Sequence, residues 1–262
     1  MTQTSSRPYV LSIAGFDPSG GAGLLADIKT FEANEVYGLG VCTGLTFQND
    51  IAFERVNWVG LPDILEQCRL LFERFTIDYV KVGLFEHLHL LPPMIDWLKE
   101  RNPTIKIIWD PILRASAGYE FHRHYAQELL DQIFAGIYLL TPNIPETQLL
   151  QPASKPEQGA EMIAQHCPVY LKGGHQIVEK IADETFSSVI DILFNGNERQ
   201  EFKSERIENG EKHGSGCVLS SAILANLAKG QSLEDACQSG KKYTTQFLGS
   251  NPTLLGFHRI SG

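Results

Sequence analysis

The sequence lacks the features of three large classes of protein. Its 262 residues carry 22 Lys and Arg against 31 Asp and Glu, so it lacks the basic excess that nucleic-acid binding requires. Its five cysteines are odd in number and include no Cys-x-x-Cys pair, which argues against a disulfide framework and a zinc site. No apolar run is long enough to span a membrane, because the first is broken at Gly15 and Asp17. We therefore expect a cytoplasmic protein that needs neither nucleic acid nor membrane.

Two common phosphate-binding signatures are also missing. The longest glycine-rich stretch, Ala14–Gly23, has no Gly-Lys-Ser/Thr sequence and does not fit the Gly-x-Gly-x-x-Gly spacing. We interpret this stretch as a close connection from a strand to a helix over a small ligand. Asp27 follows in the first turns of that helix, where an acid either points towards the ligand or only compensates the helix dipole.

Strand-like and helix-like segments alternate along most of the chain, which predicts one α/β domain over residues 1–262 with a parallel sheet covered by helices on both faces. Four polar or glycine residues follow predicted strands, at the edge where open α/β sheets bind ligands: Gly15, Asp110, Asn143 and Lys172. The predicted strands are Tyr9–Ala14, Tyr37–Thr46, Asp78–Leu84, Ile105–Trp109, Ile137–Leu140, Val169–Leu171 and an antiparallel pair within Ile181–Phe202. The predicted helices are about Ala22–Asn34, one starting at Pro62, Pro92–Arg101, Tyr125–Phe134, two pieces between Pro145 and His166, and two at the end separated by Lys229-Gly230.

The segment Lys212–Cys217 leads directly into an apolar stretch with helical spacing, Val218–Leu227. Cys217 is therefore predicted to open a helix, where free N–H groups and the macrodipole favour a phosphate or a developing anion. We expect the same field to lower the pKa of the Cys217 thiol. The alternative interpretation is an ordinary tight turn before a helix.

Asn143 and Glu146 lie three residues apart around Pro145, directly after a predicted strand. On a helical turn both side chains would face one way, which suits the holding of Mg²⁺ through water beside a phosphate. The alternative is a capping box, in which Asn143 caps the helix and Glu146 bonds back to the cap.

The order of these motifs resembles that of the hydroxymethylpyrimidine/phosphomethylpyrimidine kinases, thiamine-pathway enzymes of the ribokinase superfamily. The resemblance covers residues 9 to about 228 and implies a ribokinase-like three-layer α/β/α sandwich with a central, mostly parallel sheet. The matching segments are Ser12–Thr30, Gln48-Asn49, Lys81-Val82-Gly83, Asp110-Pro111, Thr141–Glu146, Lys172–His175 and His213–Cys217.

The resemblance implies phosphorylation of 4-amino-5-hydroxymethyl-2-methylpyrimidine and then of its monophosphate, with ATP and Mg²⁺, by a homodimer. Cys217 would act as general base or orient the hydroxyl, and the loop Gly214-Ser215-Gly216 would form the anion hole. The remaining site residues that the resemblance implies are Gly15, Asp27, Gln48 and Leu84 for the substrate, Asn143, Lys172, Gly214 and Gly216 for ATP, and Asp110 and Glu146 for Mg²⁺, partly through water.

Several residues depart from the family pattern beside the expected substrate pocket, namely Phe16, Phe47, Leu84 and Phe85. A pyridoxal or pyridoxine kinase of the same superfamily is therefore an open alternative, because pyridoxal is also a small ring with a CH₂OH group. A sugar or nucleoside kinase is disfavoured, since those relatives carry Asp where Cys217 stands. A non-catalytic protein that binds a pyrimidine or nucleotide is disfavoured by the joint presence of Asp27, Asn143, Glu146, Lys172 and Cys217.

Overall fold

A nine-stranded sheet runs through the molecule. The computed structural model describes residues 7–113, 126–181, 184–208 and 210–259, with the backbone alone for residues 174–187. The strands are β1 Tyr9–Phe16, β2 Tyr37–Gln48, β3 Phe53–Trp58, β4 Tyr79–Val82, β5 Lys106–Trp109, β6 Leu139–Leu140, β7 Val169–Ile181, β8 Glu184–Asn195 and β9 Glu198–Glu205. Their order is β3-β2-β1-β4-β5-β6-β7-β8-β9, with a parallel block from β2 to β7 and antiparallel neighbours outside it.

Helices cover both faces of this sheet, because successive strand residues point to opposite sides. Val10 packs in one core cluster with Phe31 and Ile223, whereas Leu11 packs in the other with Ile64 and Met94. The predicted three-layer α/β/α sandwich is therefore confirmed. The helices are α1 Gly23–Ala33, α2 Leu61–Arg74, α3 Leu91–Arg101, α4 Gln127–Gly136, α5 Ile144–Leu150, α6 Pro156–Ile163, α7 Ser215–Ala228 and α8 Leu233–Leu248. Among the described residues, no helix is both long and apolar enough to cross a bilayer.

Two strands differ from the prediction in an informative way. The sequence does not predict the edge strand β3. This strand pairs only with β2, and its residues are half-buried or exposed, so it shows no apolar alternation. Strand β7 continues through Lys172 and Gly173, which the sequence predicts as a turn after the strand. The pairing of β7 with β8 shifts register between Leu171 and His175, and Gly173 takes a positive φ of 65° within that irregularity. Lys172 thus lies inside a bulged strand rather than beyond its end.

Helix α7 is almost entirely buried between the sheet and α8, which explains why its sequence is apolar nearly all round. It approaches α8 very closely at one point. A Cβ atom added to Gly240 of α8 would lie 2.6 Å from Cγ1 and 3.2 Å from the backbone nitrogen of Ile223 in α7. Since the N-terminus of α7 reaches the edge where the parallel strands end, this contact helps to fix that edge.

We expect Gly240→Ala to lower the free energy of unfolding by about 1–3 kcal/mol, the usual cost of overpacking. The matched control is Gly249→Ala, at the C-cap of the same helix, where the nearest atom to an added Cβ lies 3.8 Å away. Urea unfolding of both variants measures the difference. Equal stability of the two variants would contradict the close packing of α7 on α8.

Candidate active site

A cavity of about 390 Å³ opens at the edge where the parallel strands end. It gathers eleven of the twelve residues predicted for the site, which come from separate strands, loops and helices. These eleven are Gly15, Gln48, Leu84, Asp110, Asn143, Glu146, Lys172, Gly214, Ser215, Gly216 and Cys217. A second and larger cavity, of about 1090 Å³, shares Asn143, Lys172, Ser215 and Gly216 with the first. The two cavities therefore meet at the start of α7.

Asp27, the twelfth residue, lies elsewhere, and its expected contact with a substrate ring needs correction. Its side chain is fully buried and accepts hydrogen bonds from Ser12 Oγ at 2.6 Å and Ser221 Oγ at 2.8 Å. It also pairs with the buried ammonium group of Lys81. With both carboxylate oxygens held by neighbours, Asp27 joins α1 to β1, β4 and α7. It is not a dipole-compensating acid either, since the first turn of α1 contains no acidic residue.

Lys81 is the main residue of the site to which sequence analysis assigned no role. It lies on β4 between two apolar residues, Val80 and Val82, and its ammonium is 3.9 Å from Asp110 Oδ2. Although burial alone would lower the pKa of Lys81, the nearby carboxylates of Asp27 and Asp110 raise it above the ordinary value. A lysine in the middle of a short apolar strand was the available signal, because a buried charge requires a partner.

Asp110 and Glu146 face one shared cation. Lys172 Nζ lies 2.9 Å from Asp110 Oδ1 and 3.8 Å from Glu146 Oε2. Asp110 also accepts from Thr141 at 3.3 Å and from Ser220 at 3.2 Å. Burial by itself would raise the pKa of Asp110, but Lys172 and Lys81 hold it below its ordinary range. The Asp110 carboxylate is therefore ionised at neutral pH.

Asn143 and Glu146 form the capping box of α5. Glu146 N–H donates to Asn143 Oδ1 and Asn143 N–H donates to Glu146 Oε2, both at 2.8 Å. The capping box, which is the alternative interpretation of this pair, is therefore present, and both residues also line the cavity. Burial raises the pKa of Glu146 to about 7, with Lys172 opposing and Asp110 adding to the shift.

The residues present fit a Mg²⁺ ion only through water. No cluster of three or more His, Cys, Asp or Glu side chains suited to a metal exists in the described part of the chain. Asp110 and Glu146 are two carboxylates at one wall of the cavity, and several of their oxygen atoms already accept hydrogen bonds. Mg²⁺ commonly keeps several water ligands and binds one or two carboxylates together with substrate phosphates.

Two glycines allow the loop before α7 to touch the loop before α1. Gly214 takes a positive φ of 75°, and an added Cβ would lie 2.1 Å from the Gly21 carbonyl oxygen. Gly23 has a φ of 58°, and its added Cβ would lie 2.3 Å from the Gly15 oxygen. No other residue type fits at either position without displacing backbone, so the glycine-rich loop and the start of α7 form one wall.

Asp17 links these two loops through hydrogen bonds. Its buried carboxylate accepts from the N–H groups of Ser19 and Ala22, each at 2.9 Å, and from Ser19 Oγ at 2.8 Å. His213 Nε2 lies 2.9 Å from Asp17 Oδ2 and brings in the loop before α7. Burial would raise the pKa of Asp17, but the hydrogen bonds from His213, Ser19 and Ala22 hold it below its ordinary value. The sequence carries no local sign of this role for Asp17, because its partner His213 is distant in the chain.

The expected lowering of the Cys217 pKa is wrong. Cys217 is the third residue of α7 rather than the first, and its side chain is buried. Burial raises the pKa of its thiol to about 12; Lys81 opposes this, whereas Asp110 and Asp27 add to it. A hydrogen bond from the Gly23 backbone also favours the thiolate but does not reverse the shift. The resting side chain is therefore a neutral thiol.

The state of this thiol can be measured directly. We expect the difference in ultraviolet thiolate absorbance between the protein and its Cys217→Ser variant to show no ionisation below about pH 10, because burial disfavours the charged sulfur. The subtraction removes the signal of the other four cysteines, and thermal unfolding checks that the variant is folded. An ionisation step near neutral pH would show instead that the helix start governs the thiol.

The aromatic residues that depart from the family pattern lie largely away from the cavity. Phe85 packs in the hydrophobic core, and Phe47 is partly exposed beneath the Arg55 guanidinium, 3.5 Å from the ring centroid. Leu84 does line the cavity, together with Phe53 of the unexpected strand β3. The apolar wall of the cavity includes Leu84, Phe53, Ile112 and Leu149, whereas Phe16, Phe47 and Phe85 do not line it.

Comparison with known proteins shows the family to which the chain belongs. Residues 17–259 match the family model for phosphomethylpyrimidine kinase. The chain is 34% identical over 246 residues to the hydroxymethylpyrimidine/phosphomethylpyrimidine kinase of Aquifex aeolicus, covering 93% of this chain and 95% of that protein. Among solved structures it resembles phosphomethylpyrimidine kinase from Clostridium difficile 630, with 31% identity, a TM-score of 0.73 and coverage of 92% and 99%. It also resembles an ADP complex of Bacillus subtilis pyridoxal kinase, with 25% identity, a TM-score of 0.77 and coverage of 93% and 92%. The chain belongs to the phosphomethylpyrimidine kinase family.

Proposed function

We propose that this protein is an ATP-dependent kinase of thiamine biosynthesis. It phosphorylates 4-amino-5-hydroxymethyl-2-methylpyrimidine and then converts the resulting monophosphate into the pyrophosphate. The observation that carries this proposal is the meeting of two cavities at Ser215 and Gly216, the first residues of a helix, beside Lys172. Family membership supplies the substrate class, and the meeting of the cavities supplies a place for transfer between two ligands.

The smaller cavity suits the pyrimidine and the larger one suits ATP. A volume of about 390 Å³ with Gln48, Leu84 and Phe53 in its wall offers one amide and two apolar surfaces to a small ring. Gly15 packs closely against Leu84 in this wall, because a Cβ atom added to Gly15 would lie only 3.0 Å from Leu84 Cδ2. The larger cavity, of about 1090 Å³, has room for a nucleotide and also borders the start of α7 at Ser215 and Gly216.

Phosphoryl transfer depends mainly on positioning and on neutralising charge. In the first step the substrate hydroxyl oxygen forms a bond to the γ-phosphorus of ATP while the bond to the β,γ-bridging oxygen breaks. ADP leaves, and the hydroxyl proton passes to an acceptor in the site or to water. The N–H groups of Gly216 and Cys217 in the first turn of α7 and the Lys172 ammonium lie where the transferred group needs positive charge. Asn143 lines both cavities and can donate to a phosphate oxygen from its amide nitrogen.

Cys217 is proposed to orient the reacting hydroxyl rather than to remove its proton. Its pKa of about 12 leaves almost no thiolate at neutral pH. The thiol lies in the cavity wall next to Gly216 and can still contact the hydroxyl oxygen. Asp110 and Glu146 would hold Mg²⁺ through water, and the bound ion would neutralise charge on the phosphates of ATP.

Pyridoxal kinase is the second candidate, and one observation favours it: the similarity to a pyridoxal kinase structure with a TM-score of 0.77. The family model and the relative with 34% identity favour the pyrimidine substrate.

We further propose that residues 1–262 form one kinase domain, which the continuous sheet supports. We also propose that the protein is a cytoplasmic homodimer, as its resemblance to the family implies.

The function is tested with purified protein, ATP and Mg²⁺. We expect ADP to form with hydroxymethylpyrimidine and with its monophosphate, and the kcat/KM for the pyrimidine alcohol to exceed that for pyridoxal by about tenfold or more. Lys172→Met should lower kcat by about 10²-fold or more, since it removes a charge from the transfer point. The control is Lys229→Met, an exposed lysine just after α7. Absence of ADP above background with both pyrimidines would refute the proposal.

A separate measurement distinguishes the two roles of Cys217. We expect Cys217→Ser to retain the rate of each phosphorylation within about tenfold, because serine keeps a small polar group at the same place. Loss of a general base typically costs about 10²–10⁴-fold. Such a loss would fall on the alcohol step alone, since the monophosphate already offers an anionic oxygen. A fall of that size confined to the first step would establish Cys217 as the base.

A further inference from the structure

A segment that follows α8 has neither helix nor strand and yet lies in the wall of the larger cavity. It consists of residues 250–257. Pro252 and Leu254 of this segment line the larger cavity, together with Leu248 near the end of α8. The transfer reaction described above gives no role to this wall.

Lys212 holds segment 250–257 to the loop before α7. This lysine is buried, and its ammonium group donates hydrogen bonds to the backbone carbonyls of Asn251 at 2.5 Å and Thr253 at 2.6 Å. The next residue, His213, donates its backbone N–H to the Leu254 carbonyl at 2.9 Å. Because a buried ammonium group must be received by oxygen atoms, these carbonyls cannot move away without a large cost in free energy. The positions of the segment and of the loop are therefore set together.

Close packing fixes the other end of segment 250–257. A Cβ atom added to Gly256 would lie 2.5 Å from Cε2 and Cζ of Phe247, whose ring is buried on α8. Phe257 N–H also donates to Ser250 Oγ at 2.9 Å, which joins the two ends of the segment. The wall at Leu254 thus lies between two points of attachment.

The walls of the larger cavity fit the two parts of a nucleotide. Lys172 and Gly216 offer an ammonium group and a backbone N–H at the start of α7, and both suit phosphates. Pro252 and Leu254 offer apolar surface, which suits a flat ring rather than a phosphate. Neither of these two residues lines the smaller cavity.

We propose that Lys212 is a positioning residue for ATP, and that it acts by holding segment 250–257 as a wall against the base. This inference rests on the proposed function. Lys212 fixes the carbonyls of Asn251 and Thr253, and these set the place of Pro252 and Leu254. Nucleotide affinity therefore depends on a lysine that itself lines the smaller cavity.

The test measures the affinity for ADP by titration calorimetry in variants at the two ends of the segment. Lys212→Met removes both carbonyl bonds, and Gly256→Ala displaces the segment from Phe247 although Gly256 lines neither cavity. We expect Lys212→Met to weaken ADP binding by about tenfold or more, as for the loss of one charged hydrogen bond. Gly256→Ala should weaken it as well and leave the KM for the pyrimidine alcohol unchanged.

The double variant separates a shared wall from two unrelated defects. Because both substitutions act through one segment, the double variant should bind ADP no more weakly than the weaker-binding single variant. The matched control is Gly249→Ala, where the nearest atom to an added Cβ lies 3.8 Å away and ADP affinity should not change. Thermal unfolding checks that each variant is folded. Unchanged ADP affinity in both single variants, or multiplied effects in the double variant, would overturn the inference.

Hydrogen exchange of the unaltered protein avoids dependence on the fold of a variant. Bound ADP should slow the exchange of backbone N–H groups within residues 250–257, and the bound pyrimidine alcohol should not. Bound ADP that leaves exchange in this segment unmoved would refute the positioning role alone. If the unaltered protein does not bind ADP at all, the proposed function fails as well, so the two failures are distinguished.

Discussion

The buried ammonium group of Lys81 is the charge on which the rest of the site depends. It pairs with Asp27 of α1 and lies 3.9 Å from Asp110 after β5. Ser220 and Ser221 of α7 donate to these same two acids, Ser220 to Asp110 and Ser221 to Asp27. Because removal of one member would leave an uncompensated buried charge, at a cost of about 3–5 kcal/mol, these elements are held in one arrangement. The start of α7 is thereby fixed against β1, β4 and β5, and the walls of both cavities with it.

The sequence was sufficient for the layers of the fold and for the location of the site, since periodicity places the elements and parallel strands end at one edge. It was insufficient where a role depends on a distant partner. Asp27 has the same local signal whether it faces a ligand or a buried lysine 54 residues away. The pairing of Asp17 with His213 spans 196 residues and leaves no local pattern. Strand β3 was missed because an edge strand has little apolar alternation to detect.

Cys217 shows why a local rule about helix starts can fail. The field of the first turn favours an anion, and that reasoning predicts a thiolate. Asp110 and Asp27 lie close enough to oppose it, and burial outweighs the turn. The N–H groups of this first turn can still attract a bound anion, whose charge Lys172 helps to neutralise. In the proposed reaction the helix start serves the transferred phosphate rather than the sulfur, so one turn can attract an anion and still hold a neutral thiol.

Another buried acid, Asp191, fixes the part of β7 that carries Lys172. Asp191 Oδ1 accepts from Gly173 N–H at 2.6 Å, and its Oδ2 accepts from Lys241 at 2.7 Å and from Tyr170 at 3.0 Å. These bonds hold β7 on both sides of Lys172 at the place where the strand leaves regular pairing with β8. A regular strand would alternate its side chains strictly between the two faces. The bulge instead directs Lys172 to the point where the cavities meet. The irregularity that hides this residue from strand prediction is therefore also what places it in the wall of both cavities.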